Sequence, residues 1–142
     1  MATIHHSPLM TEPLRKTKPS SFVGRLIAAF RNSFAGYRHA FASESALREE
    51  LVAFVILAPL SLALPVSRVE HLMLLLSLIL VILVELLNTA IEATVDRISL
   101  ELHPLAGMAK DLGSASVLTA LVMTGICWVM IAGPVVLHWW RG

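Results

Sequence analysis

Cysteine and charged residues are scarce in this sequence of 142 residues. Cys127 is the single cysteine, which excludes a disulfide within the chain and a zinc site built from several cysteines. Charged residues make up 15% of the sequence and hydrophobic residues 56%, unlike the composition of soluble globular proteins. The net charge of +1 gives no reason to expect a nucleic-acid partner. These features indicate an integral membrane protein.

The sequence motifs of the common soluble nucleotide-binding folds do not occur either. The chain has no Gly-x-x-x-x-Gly-Lys-Ser/Thr loop, no Gly-x-Gly-x-x-Gly turn and no protein-kinase catalytic loop. Any nucleotide chemistry must therefore come from a different arrangement of polar residues.

The N-terminal part of the chain precedes the long apolar segments. Residues 1–20 are rich in proline, histidine and lysine and are predicted to be a disordered tail, and residues 21–142 are expected to form one membrane-embedded domain. Residues 22–41 predict an amphipathic helix capped by Ser20 or Ser21, since aromatic residues recur every three or four positions with arginines between them. Such a helix is typical of the membrane interface, although packing against other helices is the alternative.

Three apolar segments are predicted to cross the membrane. The run Leu51–Leu64 is shorter than the roughly 30 Å hydrocarbon layer, so its helix must include part of 46–50. The second segment extends from Leu72 to Ile98, and the third lies within Leu112–Trp140, where no charged residue occurs. The predicted fold is therefore all-α, with three transmembrane helices after the surface helix.

Proline, glycine and charge mark the predicted connections. Pro65 is expected to end the first segment, and 66–71 to form a short turn. Residues 99–111 predict a polar connection broken by Pro104 and Gly107.

The flank of the first segment also predicts a helix start and an orientation. Ser43 is the expected N-cap, with Glu44 in the first helical turn and Arg48 as its i, i+4 partner. Lysine and arginine are concentrated in the N-terminal flank up to Arg48, so the N-terminus is predicted to be cytoplasmic.

The second apolar segment carries a narrow stripe of polar residues. In a helix with about 100° per residue, Asn88 falls at about 300°, Glu92 at about 340° and Asp96 at about 20° relative to Glu85. Acids inside a membrane cost several kcal/mol unless they are paired, hydrated or bound to a metal. The stripe therefore needs a chemical explanation.

The ionisable groups converge on the cytoplasmic side of the predicted membrane, where Glu44, Lys110 and Asp111 also lie. Several carboxylates with an amide between them suit a hard cation such as Mg²⁺, and a lysine beside them can balance phosphate charge. Glu85 lies about 10 Å deeper than Glu92, where a base could meet a lipid hydroxyl during phosphoryl transfer. From these residues alone, a channel, a small transporter and a stripe that only joins helices all remain open.

Two motifs closely resemble bacterial diacylglycerol kinase, a family of small integral-membrane enzymes. The motifs are Glu85-Leu-Leu-Asn88-Thr-Ala-Ile-Glu92-Ala-Thr-Val-Asp96-Arg97 and Ala109-Lys110-Asp111-Leu-Gly113-Ser114-Ala115, with Glu44-x-x-x-Arg48-x-Glu50 upstream. The resemblance implies a homotrimer of multi-pass chains in the bacterial inner membrane. It also implies ATP- and Mg²⁺-dependent phosphorylation of diacylglycerol to phosphatidic acid at the cytoplasmic face.

The resemblance also assigns roles to individual residues. Glu85 matches the general base proposed for the family, and Glu44 and Glu92 match its metal-holding carboxylates. Other positions tied to activity are matched by Glu50, Asn88 and Asp96, and nucleotide-binding positions by Arg25, Glu44, Glu92, Glu101, His103, Lys110 and Asp111.

The surface helix departs from the pattern of the family. Asn32 stands where a tyrosine can lie near the nucleotide, and Ala28, Phe34 and Ala35 stand where lysine and tryptophan are common. Relatives of this fold also phosphorylate undecaprenol, so the lipid acceptor is not fixed by the fold. A non-enzymatic membrane subunit is the alternative from another class.

Overall fold

The computed structural model describes residues 21–98 and 103–142. Every secondary-structure element in these residues is an α-helix, which confirms the predicted all-α class for this part of the chain. The predicted tail at 1–20 and the predicted site residue Glu101 lie outside the described residues. The chain divides into two compact units, one ending at Ala35 and one beginning at Gly36. The helices are α1 (Phe22–Ser43), α2 (Ser45–Ala63), α3 (Arg68–Ile98) and α4 (Pro104–Arg141).

Helix α1 confirms the amphipathic helix predicted at 22–41 and ends slightly later, at Ser43. The backbone N–H of Gly24 donates to Ser21 Oγ at 3.0 Å, so Ser21 is the N-cap. The aromatic side chains remain open to the surroundings, and Phe34 is 74% exposed. A helix bound at a membrane surface would have such an uncovered aromatic stripe.

The junction between α1 and α2 differs from the prediction. Ser43 does not cap α2, because it is the last residue of α1 and its Oγ donates to the His39 carbonyl oxygen at 3.2 Å. Glu44 is the N-cap position, with extended backbone angles and no capping hydrogen bond from its side chain. The guanidinium group of Arg48 donates to the Phe41 carbonyl oxygen at 2.9 Å instead of pairing with Glu44. The carboxylate of Glu44 is therefore used neither by a helix cap nor by that ion pair.

Helix α3 begins at Arg68, before the predicted start at Leu72. The backbone N–H of Ser67 donates to Glu70 Oε2 at 2.7 Å, and the backbone N–H of Glu70 donates to Ser67 Oγ at 3.3 Å. This reciprocal pair is a capping box, which satisfies N–H groups that a helix start leaves without partners. The prediction of a turn over 66–71 was therefore wrong from Arg68 onward.

Helix α4 begins at Pro104, so part of the predicted polar connection is helical. The backbone N–H of Leu105 donates to His103 Nδ1 at 3.2 Å, and proline is favoured in a first helical turn, where its missing N–H costs nothing. Gly107 continues the helix and donates its N–H to the His103 carbonyl oxygen at 3.1 Å. The prediction of a broken connection over 99–111 was wrong from Pro104 onward.

Helix α3 packs against both α2 and α4 in the second unit. Thr124 Oγ1 in α4 donates to the Ser77 carbonyl oxygen in α3 at 3.0 Å. Hydrogen bonds of this kind join helices where no water competes. The buried apolar side chains of the three helices include Leu47, Leu74, Leu78, Val81 and Ala120.

Helices α3 and α4 are long and apolar enough to cross a membrane, with 31 and 38 residues. At 1.5 Å per residue they measure about 46 and about 57 Å, so both exceed the roughly 30 Å hydrocarbon layer. Large apolar residues on their outer surfaces, such as Leu76 and Leu118, are more than half exposed. Helix α2 carries Arg48, Glu49 and Glu50 near its start, which shortens its apolar stretch, and the membrane span predicted from the first apolar segment stays a prediction.

Candidate active site

Helix α3 carries the predicted polar stripe, and burial decreases along it. Glu85 is 4% exposed, Asn88 and Glu92 are half-buried, and the side chain of Asp96 is 52% exposed. The spacing of three or four residues keeps these groups on one helical face. The stripe therefore leads from a buried carboxyl group to an open one.

Carboxyl groups from α2, from the N-cap position of α2 and from α3 lie within electrostatic range of Glu85. Glu85 lies close enough to Glu44 and Glu92 for their charges to interact, and Glu50 interacts in the same way with Glu85. We call Glu44, Glu50, Glu85 and Glu92 the acidic cluster. Like charges in a weakly polar environment repel one another strongly, so a bound cation would stabilise the cluster. The structure thus places both predicted metal-holding carboxylates within electrostatic range of the predicted base.

Several polar atoms in this region are buried without a hydrogen-bond partner among the described residues. They include Glu50 Oε2, Asn88 Oδ1 and Thr89 Oγ1. An unpaired buried polar atom costs about 1–3 kcal/mol, so a polar ligand, a water molecule or another chain would be stabilising here. Sequence reasoning assigned no role to Thr89, although it follows Asn88 directly in the motif.

Asn88 links the acidic cluster to α4. Its Nδ2 donates to Glu92 Oε1 at 3.4 Å, and its Oδ1 lies against Gly113. Gly113 is therefore packed closely against α3, whereas residues 114–116 are exposed.

An ion pair joins α3 and α4 at the open end of the stripe. Lys110 Nζ lies 2.6 Å from Asp96 Oδ1, and the two side chains are 38% and 52% exposed. An exposed ion pair contributes only about 0.2–1 kcal/mol, so Lys110 can exchange Asp96 for another anion at small cost. Asp111 follows on α4 and is exposed.

The ligand atoms of this region fit a hard divalent cation that binds together with a phosphate group. Glu44 and Glu92 offer carboxylate oxygens, and the Asn88 amide donates to one oxygen of Glu92. In the part of the chain that the structure describes, no group of three or more His, Cys, Asp or Glu residues could hold a metal by itself. Mg²⁺ usually takes one or two carboxylates and completes its coordination with water and substrate phosphates, which is the kind of site this set could form.

The nucleotide-binding roles of all the predicted residues stay predictions, and Arg25, His103 and Glu101 are the three not yet placed. Arg25 lies on α1, in the first compact unit. His103 is exposed and uses Nδ1 to cap α4, so one ring nitrogen already has a structural role. Glu101 lies outside the described residues.

Comparison with known proteins gives one consistent similarity. A family model described as prokaryotic diacylglycerol kinase matches residues 31–132. A diacylglycerol kinase of Pseudomonas aeruginosa is 44% identical over 118 residues, covering 80% of this chain and 96% of the relative. The diacylglycerol kinase of Escherichia coli K12 is 43% identical over 107 residues, with 75% and 88% covered. That of Haemophilus influenzae is 45% identical over 103 residues, with 72% and 87% covered.

Proposed function

The chain belongs to the prokaryotic diacylglycerol kinase family, and from this premise we propose how its residues phosphorylate diacylglycerol. The reaction transfers the γ-phosphoryl group of ATP to the free hydroxyl of diacylglycerol and yields phosphatidic acid and ADP. The acidic cluster around Glu85 supports this mechanism most strongly, because it combines a buried carboxyl group with carboxylates suited to a divalent cation. Family membership favours this enzymatic role over a channel, a transporter or a non-enzymatic subunit.

Glu44 and Glu92 are the residues that would hold Mg²⁺. When bound, the cation would offset the negative charge of the ATP phosphates and of the acidic cluster. Glu44 suits this role because no helix cap and no ion pair with Arg48 uses its carboxylate. Glu92 is held by the amide of Asn88 at 3.4 Å.

Glu85 is the proposed general base. It is buried in a helix that is apolar enough to cross a membrane, so water is scarce around it, and the lipid hydroxyl would have to approach it from the bilayer. The hydroxyl proton passes to the Glu85 carboxylate as the hydroxyl oxygen bonds to the γ-phosphorus. The bond between that phosphorus and the bridging oxygen of ATP breaks, and ADP leaves.

Lys110 is the proposed contact to the phosphates, and Asp96 holds its ammonium group before ATP binds. The ion pair at 2.6 Å supports this arrangement, because it positions a cation at the open end of the stripe. Glu50 on α2 would act on Glu85 through its charge. Asn88 on α3 would hold Glu92 through its amide. The remaining nucleotide contacts, assigned by family resemblance, are Arg25, Glu101, His103 and Asp111.

The same proposal includes an arrangement in the membrane. Helices α2, α3 and α4 would be three spans of the bacterial inner membrane, with α1 on its surface and the N-terminus in the cytoplasm. The exposed apolar surfaces of α3 and α4 favour contact with lipid. Assembly as a homotrimer would shelter the polar stripe, since acids that face lipid are costly.

Replacing the proposed base tests this mechanism. In purified protein in mixed lipid–detergent micelles, we expect Glu85→Gln to lower kcat about 10²- to 10⁴-fold, because the amide cannot accept the hydroxyl proton. Glu49→Gln is the matched control, since Glu49 is exposed and lies outside the acidic cluster. It should retain the wild-type rate.

Two outcomes would contradict parts of the proposal. Comparable rates for Glu85→Gln and the wild-type protein would reject Glu85 as the base. Parallel assays with undecaprenol test the acceptor, and faster phosphorylation of undecaprenol would reject diacylglycerol as the preferred lipid.

A further inference from the structure

Gly113 in α4 lies against the side chain of Asn88 in α3. A Cβ atom added at Gly113 would overlap Asn88 Oδ1 and would lie 3.9 Å from Asn88 Cα. At Gly107 in the same helix, an added Cβ would meet nothing within 4 Å. Because alanine is the better residue inside a helix, the glycine at 113 is explained by its neighbour and not by the helix backbone.

The atom that a side chain at 113 would displace is the far end of a flexible side chain. The added Cβ would also lie 3.3 Å from Asn88 Cγ, so the side chain must shift by a few tenths of an ångström. The amide can then turn about its last torsion at small energetic cost to move Oδ1 away, so the two helices need not separate. The same amide, however, donates from Nδ2 to Glu92 Oε1 at 3.4 Å. Turning the amide would break this hydrogen bond. The Glu92 carboxylate would then lose its orientation, while the stability of the fold would change little.

We propose that Gly113 is a positioning residue for the kinase reaction. Its missing side chain leaves room for the Asn88 amide, which orients the carboxylate of Glu92 for metal binding. This inference rests on the proposed function, in which Glu92 holds Mg²⁺. Groups that orient a metal ligand typically change metal affinity or activity 10- to 100-fold when they are altered.

The test compares Gly113→Ala with the matched control Gly107→Ala in Mg²⁺ titrations of diacylglycerol phosphorylation at fixed ATP. In Gly113→Ala we expect the half-saturating Mg²⁺ concentration to rise about 10- to 100-fold, with a smaller effect on kcat at saturating Mg²⁺. The thermal unfolding midpoint should stay close to that of the wild-type protein. A purely structural role would lower that midpoint and leave the Mg²⁺ requirement unchanged.

Making Gly113→Ala in Asn88→Ala protein tests whether Gly113 acts through the Asn88 amide or through packing in general. In Asn88→Ala protein, Gly113→Ala should raise the Mg²⁺ requirement no further, because the amide that it displaces is gone. An equal rise in both backgrounds, an unchanged Mg²⁺ requirement or the unfolding of Gly113→Ala would each overturn the proposal.

Glu92→Gln distinguishes failure of this inference from failure of the proposed function. An unchanged Mg²⁺ requirement in Glu92→Gln would reject the metal role of Glu92 itself. A raised requirement or lost turnover in Glu92→Gln, together with an unchanged Gly113→Ala, would reject only the positioning role of Gly113.

Discussion

The interactions of Lys110 differ in their expected strength. Its ion pair with Asp96 joins two partly exposed side chains, and such pairs contribute about 0.2–1 kcal/mol. A hydrogen bond to a charged group contributes about 1.5–3 kcal/mol. If Lys110 contacts the phosphates of ATP, losing that contact should cost much more than losing Asp96.

Single substitutions of Lys110 and of Asp96 measure this difference through the KM for ATP. We expect Lys110→Met to raise the KM for ATP about 10- to 100-fold, and Asp96→Asn to change it about fivefold or less. Initial rates over a range of ATP concentrations, with diacylglycerol saturating, give both values. Equal increases in the two variants would mean that Lys110 serves the ion pair and not the phosphates.

Some residues of the site could be predicted from the sequence because they belong to one helix. Glu85, Asn88 and Glu92 fall on one face by periodicity alone, and the structure keeps them there. The interaction of Glu50 with Glu85 and the contact of Gly113 with Asn88 depend on packing between helices. Helical periodicity carries no information about such contacts.

Apolar runs predicted which segments are helices but not where each helix begins. Charge and proline before α3 and α4 were interpreted as signs of turns. The local signals Ser67-x-x-Glu70 and His103-Pro104 instead start these helices, because side-chain acceptors satisfy their first N–H groups. The boundaries were therefore decided by a few polar contacts that hydropathy does not register.

The capping box of α3 gives a prediction at this scale. Ser67→Ala removes the acceptor of the Glu70 N–H and should lower the free energy of unfolding by about 1 kcal/mol. It should leave kcat unchanged, because Ser67 lies about 27 Å along the chain from Glu85 at 1.5 Å per residue. Denaturant unfolding in detergent micelles checks the first expectation.

Ser116→Ala is the matched control for this substitution. Its hydroxyl donates to the Leu112 carbonyl oxygen at 2.8 Å within α4, so its removal leaves no helix end without a partner. Equal stability of the two variants would contradict the capping role of Ser67.

At the scale of the whole molecule, helices α2, α3 and α4 combine an apolar outer surface with the acidic cluster. Composition alone indicated a membrane protein, and α3 and α4 have the length and hydropathy of membrane spans. The span proposed for α2 is harder to identify, because Arg48, Glu49 and Glu50 interrupt the apolar character of that helix. The proposed homotrimer has no signature in the periodicity of one chain, since contacts between copies follow from surface shape.

Metal binding by the acidic cluster can be measured directly with Mn²⁺ in place of Mg²⁺. Electron paramagnetic resonance would follow Mn²⁺ binding in the presence of a non-hydrolysable ATP analogue, for the wild-type protein, Glu44→Gln, Glu92→Gln and the control Glu49→Gln. If Glu44 and Glu92 hold the cation, their variants should bind Mn²⁺ at least about tenfold more weakly than the wild-type protein and the control. Equal Mn²⁺ affinity in all of these proteins would contradict the proposed site.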